Sequence, residues 1–131
     1  MECPACGTAP IVFSVPEQYR EYVPASIVAF CPRCLTLEPA EMDPEPDETP
    51  AFARVGDAFP TRPERAIPLA IALDLAGSLA TNRSAIESLL RDVERAGTDP
   101  LLVLDRLGTD PSVEPAIDLD RRRHQLEQLL Y

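Results

Sequence analysis

The residues of this sequence whose types and spacing point to chemistry are its four cysteines. Cys3 and Cys6 lie in "CPACG" and Cys31 and Cys34 in "CPRCL"; two residues separate the members of each pair, and 24 separate the pairs. A C-x2-C turn lets two sulfurs reach one ion while backbone N–H groups point at sulfur. Two such pairs joined by a loop of this order have the spacing of a zinc site. Pro4 and Pro32 stiffen the two turns. Gly7 permits the positive φ that such a knuckle uses, whereas Leu35 holds the equivalent place in the second pair, where a less regular turn is expected. Four thiolates fill a tetrahedron and leave no position for water or substrate, so the site reads as structural rather than hydrolytic. Two other uses of the thiols stay open: dithiol exchange, and a rubredoxin-like iron site, although such iron is ordinarily wrapped in aromatic side chains and aromatics make up only 5% of this chain.

The elements that must position these sulfurs are short. "IVFSV" (Ile11 to Val15) and "SIVAF" (Ser26 to Phe30) are β-branched and apolar and read as two strands of a hairpin. Between them "PEQYREYVP" reads as one or two helical turns, with Ser14 and Glu17 at capping-box spacing. Residues 1–37 therefore read as a zinc ribbon. A unit of about 35 residues is too small to be stable on its own core, and a bound metal supplies what the core lacks.

Residues 38–60 change character. Prolines 39, 44, 46, 50 and 60 punctuate a strongly acidic stretch, read as an extended linker. Phe52, Val55 and Phe59 recur at spacings of three and four, which would dock the latter part on a core. Residues 61–131 read as a small cluster of about four helices. "IPLAIALDLAGSLA" is apolar on nearly every face and suits a buried helix, with Pro68 in its first turn and Gly77 where another backbone packs closely. Ile86, Leu89, Leu90 and Val93 fall at i, i+3, i+4 and i+7 of a second helix, with Asn82 or Ser84 as its cap and Gly97 ending it. "GTDP" occurs at 97–100 and again at 108–111, and both copies read as glycine closing one helix and Asp-Pro opening the next. A last helix is expected over about Glu114 to Leu130. The fold class is thus α+β, an N-terminal ribbon followed by helices.

Composition narrows the setting. The apolar fraction of 45% supports one modest core, built from Leu, Ile, Val and Ala since Trp is absent. The longest apolar run, Ala66 to Ala80, is broken by Pro68 and Asp74 and falls short of the ~18 residues of a spanning helix. With no leader pattern at its start, the chain is expected in the cytoplasm, where thiols stay reduced and metal is favoured over disulfides. The net charge is −10, and all 12 basic residues are Arg. An acidic, lysine-free surface suits concentrated salt, where carboxylates remain hydrated. At 1 M salt the screening length is about 3 Å, so in that setting partners would be held by shape, apolar contact and metal chemistry rather than by long-range fields. Arg121, Arg122 and Arg123 spread around the last helix and read as an exposed face paired with Asp118 and Asp120. His124, the sole histidine, reads as surface. The sequence holds no P-loop, G-x-G-x-x-G or H-E-x-x-H motif.

With "CPACG", "CPRC" and the lysine-free acidic composition together, the chain resembles the small CPxCG-related zinc-finger proteins of haloarchaea. More narrowly it resembles an uncharacterised family with an N-terminal ribbon, a helical region like "NRSAIESLLRDVERAGTDPLLVLDRLGTDP" and a tail like "DLDRRRHQLEQLL". The resemblance covers nearly the whole chain and implies one structural zinc on Cys3, Cys6, Cys31 and Cys34. With no catalytic constellation in view, the expectation is a non-enzymatic zinc-binding protein that docks a protein partner or associates with itself. Nucleic-acid binding, as many zinc ribbons do, is the alternative, and an iron electron carrier comes third.

Overall fold

The computed structural model describes residues 2–4, 6–23, 25–40 and 50–130, with side chains described as far as Gln128. Most of the acidic proline-rich stretch, 41–49, lies outside the described residues. The two expected strands form as β1 (Ile11–Ser14) and β2 (Ile27–Phe30), antiparallel with Ile11 opposite Phe30 and Ser14 opposite Ile27. A third strand that was not expected, β3 (Leu37–Pro39), adds to β2 with Phe30 opposite Leu37. The hairpin is therefore a three-stranded antiparallel sheet of order β1-β2-β3. The new strand runs across the boundary expected at residue 37. Pro39 can sit in it because β3 is an edge strand, where a missing N–H costs no ladder bond.

Alternation along the strands turns Ile11, Phe13, Val28 and Phe30 inward, each almost fully buried. The capping box expected at Ser14 and Glu17 does not form: Ser14 is the last residue of β1, and the single 3-10 turn Glu17–Tyr19 follows Pro16 with no side-chain cap. Tyr19 is buried and donates its hydroxyl to Asp92 at 3.0 Å, tying this turn to the helices. Phe52, Val55 and Phe59 dock as their spacing suggested, with Phe52 and Val55 fully buried. The Phe52 ring lies 5.5 Å from that of Phe13 and 6.2 Å from that of Phe59, within the range of favourable tilted pairs.

The helices are α1 (Pro63–Leu75), α2 (Leu79–Arg95), α3 (Pro100–Leu107) and α4 (Leu119–Leu130). The architecture is mixed α/β, a sheet followed by helices. Every residue of α1 from Ala66 to Leu73 is buried, as its all-round apolar pattern demands. It starts earlier than expected, with Pro63 at its N-terminus, so Pro68 lies beyond the first turn and forfeits the bond to the carbonyl of Glu64. Glu64 is exposed, so water can satisfy that oxygen. Gly77 is not inside a helix but in the 3-10 turn Ala76–Ser78 between α1 and α2; a Cβ there would meet only Ile117 at 3.9 Å, so no backbone crowds it. Neither Asn82 nor Ser84 caps α2, which begins at Leu79; Asn82 instead donates to the carbonyl of Leu75 at 3.1 Å.

The two "GTDP" copies diverge. At the first, Gly97 has φ +103°, the N–H of Thr98 reaches Val93 O and that of Gly97 reaches Glu94 O, a Schellman ending for α2. Asp99 then caps α3, accepting from the N–H groups of Leu101 and Leu102. At the second, Gly108 keeps a right-handed φ of −62° and Asp110 accepts from the backbone and hydroxyl of Ser112. No helix follows until Leu119, so the last helix starts five residues later than expected. The reason is tertiary: the N–H groups of Glu114 and Ala116 are taken by the carbonyls of Arg33 and Cys34.

One contiguous apolar cluster joins the inward face of the sheet, the docked 52–59 segment and all four helices. Phe52→Ala should therefore lower stability by about 3–5 kcal/mol, read from the denaturant midpoint; a segment merely tethered to the surface would lose almost nothing.

Candidate metal centre

Each knuckle is built by the same backbone pattern, displaced by 28 residues. The N–H of Cys3 bonds to Thr8 O and that of Gly7 to Cys3 O; likewise Cys31 N–H bonds to Thr36 O and Leu35 N–H to Cys31 O, all within 2.8–3.0 Å. The irregular second turn expected from Leu35 is absent. Leu35 takes φ +61° beside the +76° of Gly7, so the two turns share one conformation. A left-handed non-glycine residue costs about 1–2 kcal/mol. Leu35 has a compensation glycine lacks, because its side chain is buried in the main core.

The sheet brings the knuckles together: pairing Ile11 with Phe30 sets the chain just after the first knuckle against the chain just before the second. The result is that Cys3, Cys6, Cys31 and Cys34 place their sulfurs within 4.8 Å of one another. Cys3 Sγ lies 3.6 Å from Cys34 Sγ, and Cys6 Sγ lies 3.4 Å from Cys31 Sγ. A disulfide needs about 2.05 Å, and none of the four cysteines is in one. A tetrahedron with Zn–S bonds of about 2.3 Å has edges of about 3.8 Å, so the donor set and its spacing fit a single tetrahedral ion.

The four environments differ. Cys3, Cys31 and Cys34 are buried and Cys6 is exposed. Hydrogen bonds from the hydroxyl and then the backbone of Thr8 favour the Cys6 thiolate and bring its pKa down to about 6. Burial pushes the Cys31 thiol up to about 12. The amide of Cys34 donates to Cys31 Sγ at 3.4 Å, and Cys34 Sγ lies 3.0 Å from Thr36 Oγ1. Thr8 and Thr36 are the site residues that the cysteine spacing alone does not announce. Each stands two places after the second cysteine of its pair, in "CGT" and "CLT", a match that aligning the two pairs makes visible.

The second knuckle has a further support. Glu114 N–H donates to Arg33 O at 2.8 Å and Ala116 N–H to Cys34 O at 2.9 Å, while the Arg33 guanidinium pairs with the Glu114 carboxylate at 2.8 Å. Beside Cys3 and Cys31 an open cleft of about 160 Å³ is walled by Pro4, Pro10 and Pro39, with Glu2 and Glu38 among its lining. His124 does not join the cage. It is exposed on α4, with Nδ1 2.8 Å from the backbone oxygen of Asp120. Arg123 bridges Asp105, Asp120 and Glu127, Arg122 donates to Gln125, and the Asp118 carboxylate accepts from the backbone of Arg121, so the basic run is engaged on and around its own helix.

The fold and this site together define a mixed α/β protein with a four-cysteine cluster able to hold a metal ion. A family model matches residues 2–130, and the chain belongs to that family, one of unknown function (DUF6276). No curated protein and no solved structure matches it.

In the metal-free chain, iodoacetamide at pH 7 should alkylate Cys6 first, since it is both exposed and largely ionised; peptide mass spectrometry reads the order. Loading metal should slow modification of all four cysteines. Equal rates in the metal-free chain would contradict the asymmetry of the cage.

Proposed function

We propose that this chain is a zinc ribbon joined to a helical region, binding one structural Zn2+ through Cys3, Cys6, Cys31 and Cys34 and acting as a non-enzymatic adaptor that presents a folded surface to a protein partner. The observation that carries the reading is the convergence of four sulfurs within 4.8 Å. A thiolate tetrahedron holds its ion without an open coordination position, which supports a structural role over a hydrolytic one. Among the described residues no second cluster of potential metal ligands accompanies it. His124, the only histidine, is engaged by its own helix. The net charge of −10 disfavours a nucleic-acid backbone as partner and accords with a haloarchaeal, cytoplasmic setting. Among the described residues no helix is long and apolar enough to cross a membrane.

Elemental analysis of the purified chain should give about one zinc per molecule. Cys31→Ser should abolish that stoichiometry and lower Tm. Iron and a visible absorption band would replace the zinc reading with an electron-transfer one. Affinity capture in concentrated KCl should recover a protein partner, or a second copy of the chain, in the metal-loaded state. Retention on DNA or RNA at multimolar KCl, or a turnover lost on changing a non-cysteine residue, would overturn the adaptor reading.

A further inference from the structure

The C-terminal arm, residues 113–130, is fastened at two places of unlike strength. Its first part lies on the second knuckle, held by the two backbone bonds from Glu114 and Ala116 to Arg33 and Cys34 and by the Arg33–Glu114 ion pair. One of those acceptors is the carbonyl of a cage cysteine. Its second part, α4, is a mostly polar helix. Among its described side chains only Leu119 and Leu126 are buried. They cover a groove whose floor is Leu69, Leu73, Ile86, Leu90 and Leu104 of α1, α2 and α3. α1 and α2 carry far more buried apolar side chains and bury them against each other and the sheet. Local stability follows buried apolar contact, so the arm opens more readily than α1 and α2.

We propose that occupancy of the cysteine cage controls the docking of this arm: a bound ion holds the Cys31–Cys34 knuckle in the shape that receives Glu114 and Ala116, and its loss frees 113–130 and uncovers the apolar groove on α1–α3. The proposal rests on the cage binding a metal and adds how that metal is read by the rest of the chain. With the ion gone, four sulfurs no longer hold one geometry, and the Arg33 and Cys34 carbonyls lose their fixed positions. Coupling of this kind is reciprocal: loosening the arm must weaken retention of the ion by the same factor.

The test is hydrogen–deuterium exchange by mass spectrometry on the full chain, zinc-loaded and after chelation. The expected result is that peptides covering 113–130 exchange at least about tenfold faster after chelation while those from α1 and α2 keep their protection. The reciprocal arm uses Leu126→Ala, which leaves the cage untouched and should weaken zinc affinity, read by equilibrium competition with a chromogenic chelator, by about tenfold. Protection of 113–130 that survives chelation in a chain shown to carry one zinc overturns the coupling and leaves the zinc reading intact. Simultaneous loss of protection in α1 and α2 overturns it too, since that is global unfolding. Unchanged zinc affinity in Leu126→Ala likewise counts against it. A chain that carries no metal overturns both.

Discussion

Four sulfurs confined within 4.8 Å of one another cannot all be ionised unless a cation sits among them. The structure is arranged around that constraint. Burial holds Cys31 in the neutral form when no ion is present, while the exposed Cys6, bonded by Thr8, ionises readily. A cation reverses this logic for all four groups at once, because coordination to a metal deprotonates a thiol outright. The two knuckles make the reversal possible by presenting the same turn twice, down to the threonine that follows each and the left-handed residue at positions 7 and 35.

The sulfurs do not stand on an independent module. The strands that carry the knuckles turn Phe13 and Phe30 into the same apolar cluster as Phe52, Phe59 and the buried face of α1. The second knuckle is also gripped from behind by a strap of chain more than 80 residues away, through Glu114 and Ala116. A three-stranded sheet of this size has little core of its own. Here the helices supply the remainder, and the sheet in turn covers part of the helical core. The membership of the whole chain, residues 2–130, in one family accords with sheet and helices being kept together.

The cysteine positions, β1 and β2, the buried α1, the apolar face of α2 and the docking of Phe52, Val55 and Phe59 were all legible, each from a local pattern. Misreadings fall where a local signal had a competitor elsewhere in the fold. Ser14 and Glu17 have capping-box spacing, but Ser14 is committed to the sheet. Asn82 and Ser84 can cap a helix in principle, but the helix has already begun at Leu79. The second "GTDP" repeats the letters of the first without its structure, since Asp110 is engaged with Ser112 and the chain beyond it is drawn toward the knuckle.

What the amino-acid sequence determined by itself is the donor set and the periodic elements: four thiols in two C-x2-C pairs, strands from β-branched runs, helices from their apolar spacing. These follow because each is decided by residues within a few positions of one another. What only the tertiary structure decided is the third strand, the left-handed turn at Leu35 and the extended course of residues 113–118. All three depend on partners distant in sequence: β2 for the strand, the main core for the Leu35 side chain, and the carbonyls of Arg33 and Cys34 for the arm. A backbone hydrogen bond to a remote carbonyl leaves no mark on local composition, and so it cannot be read before the chain is folded.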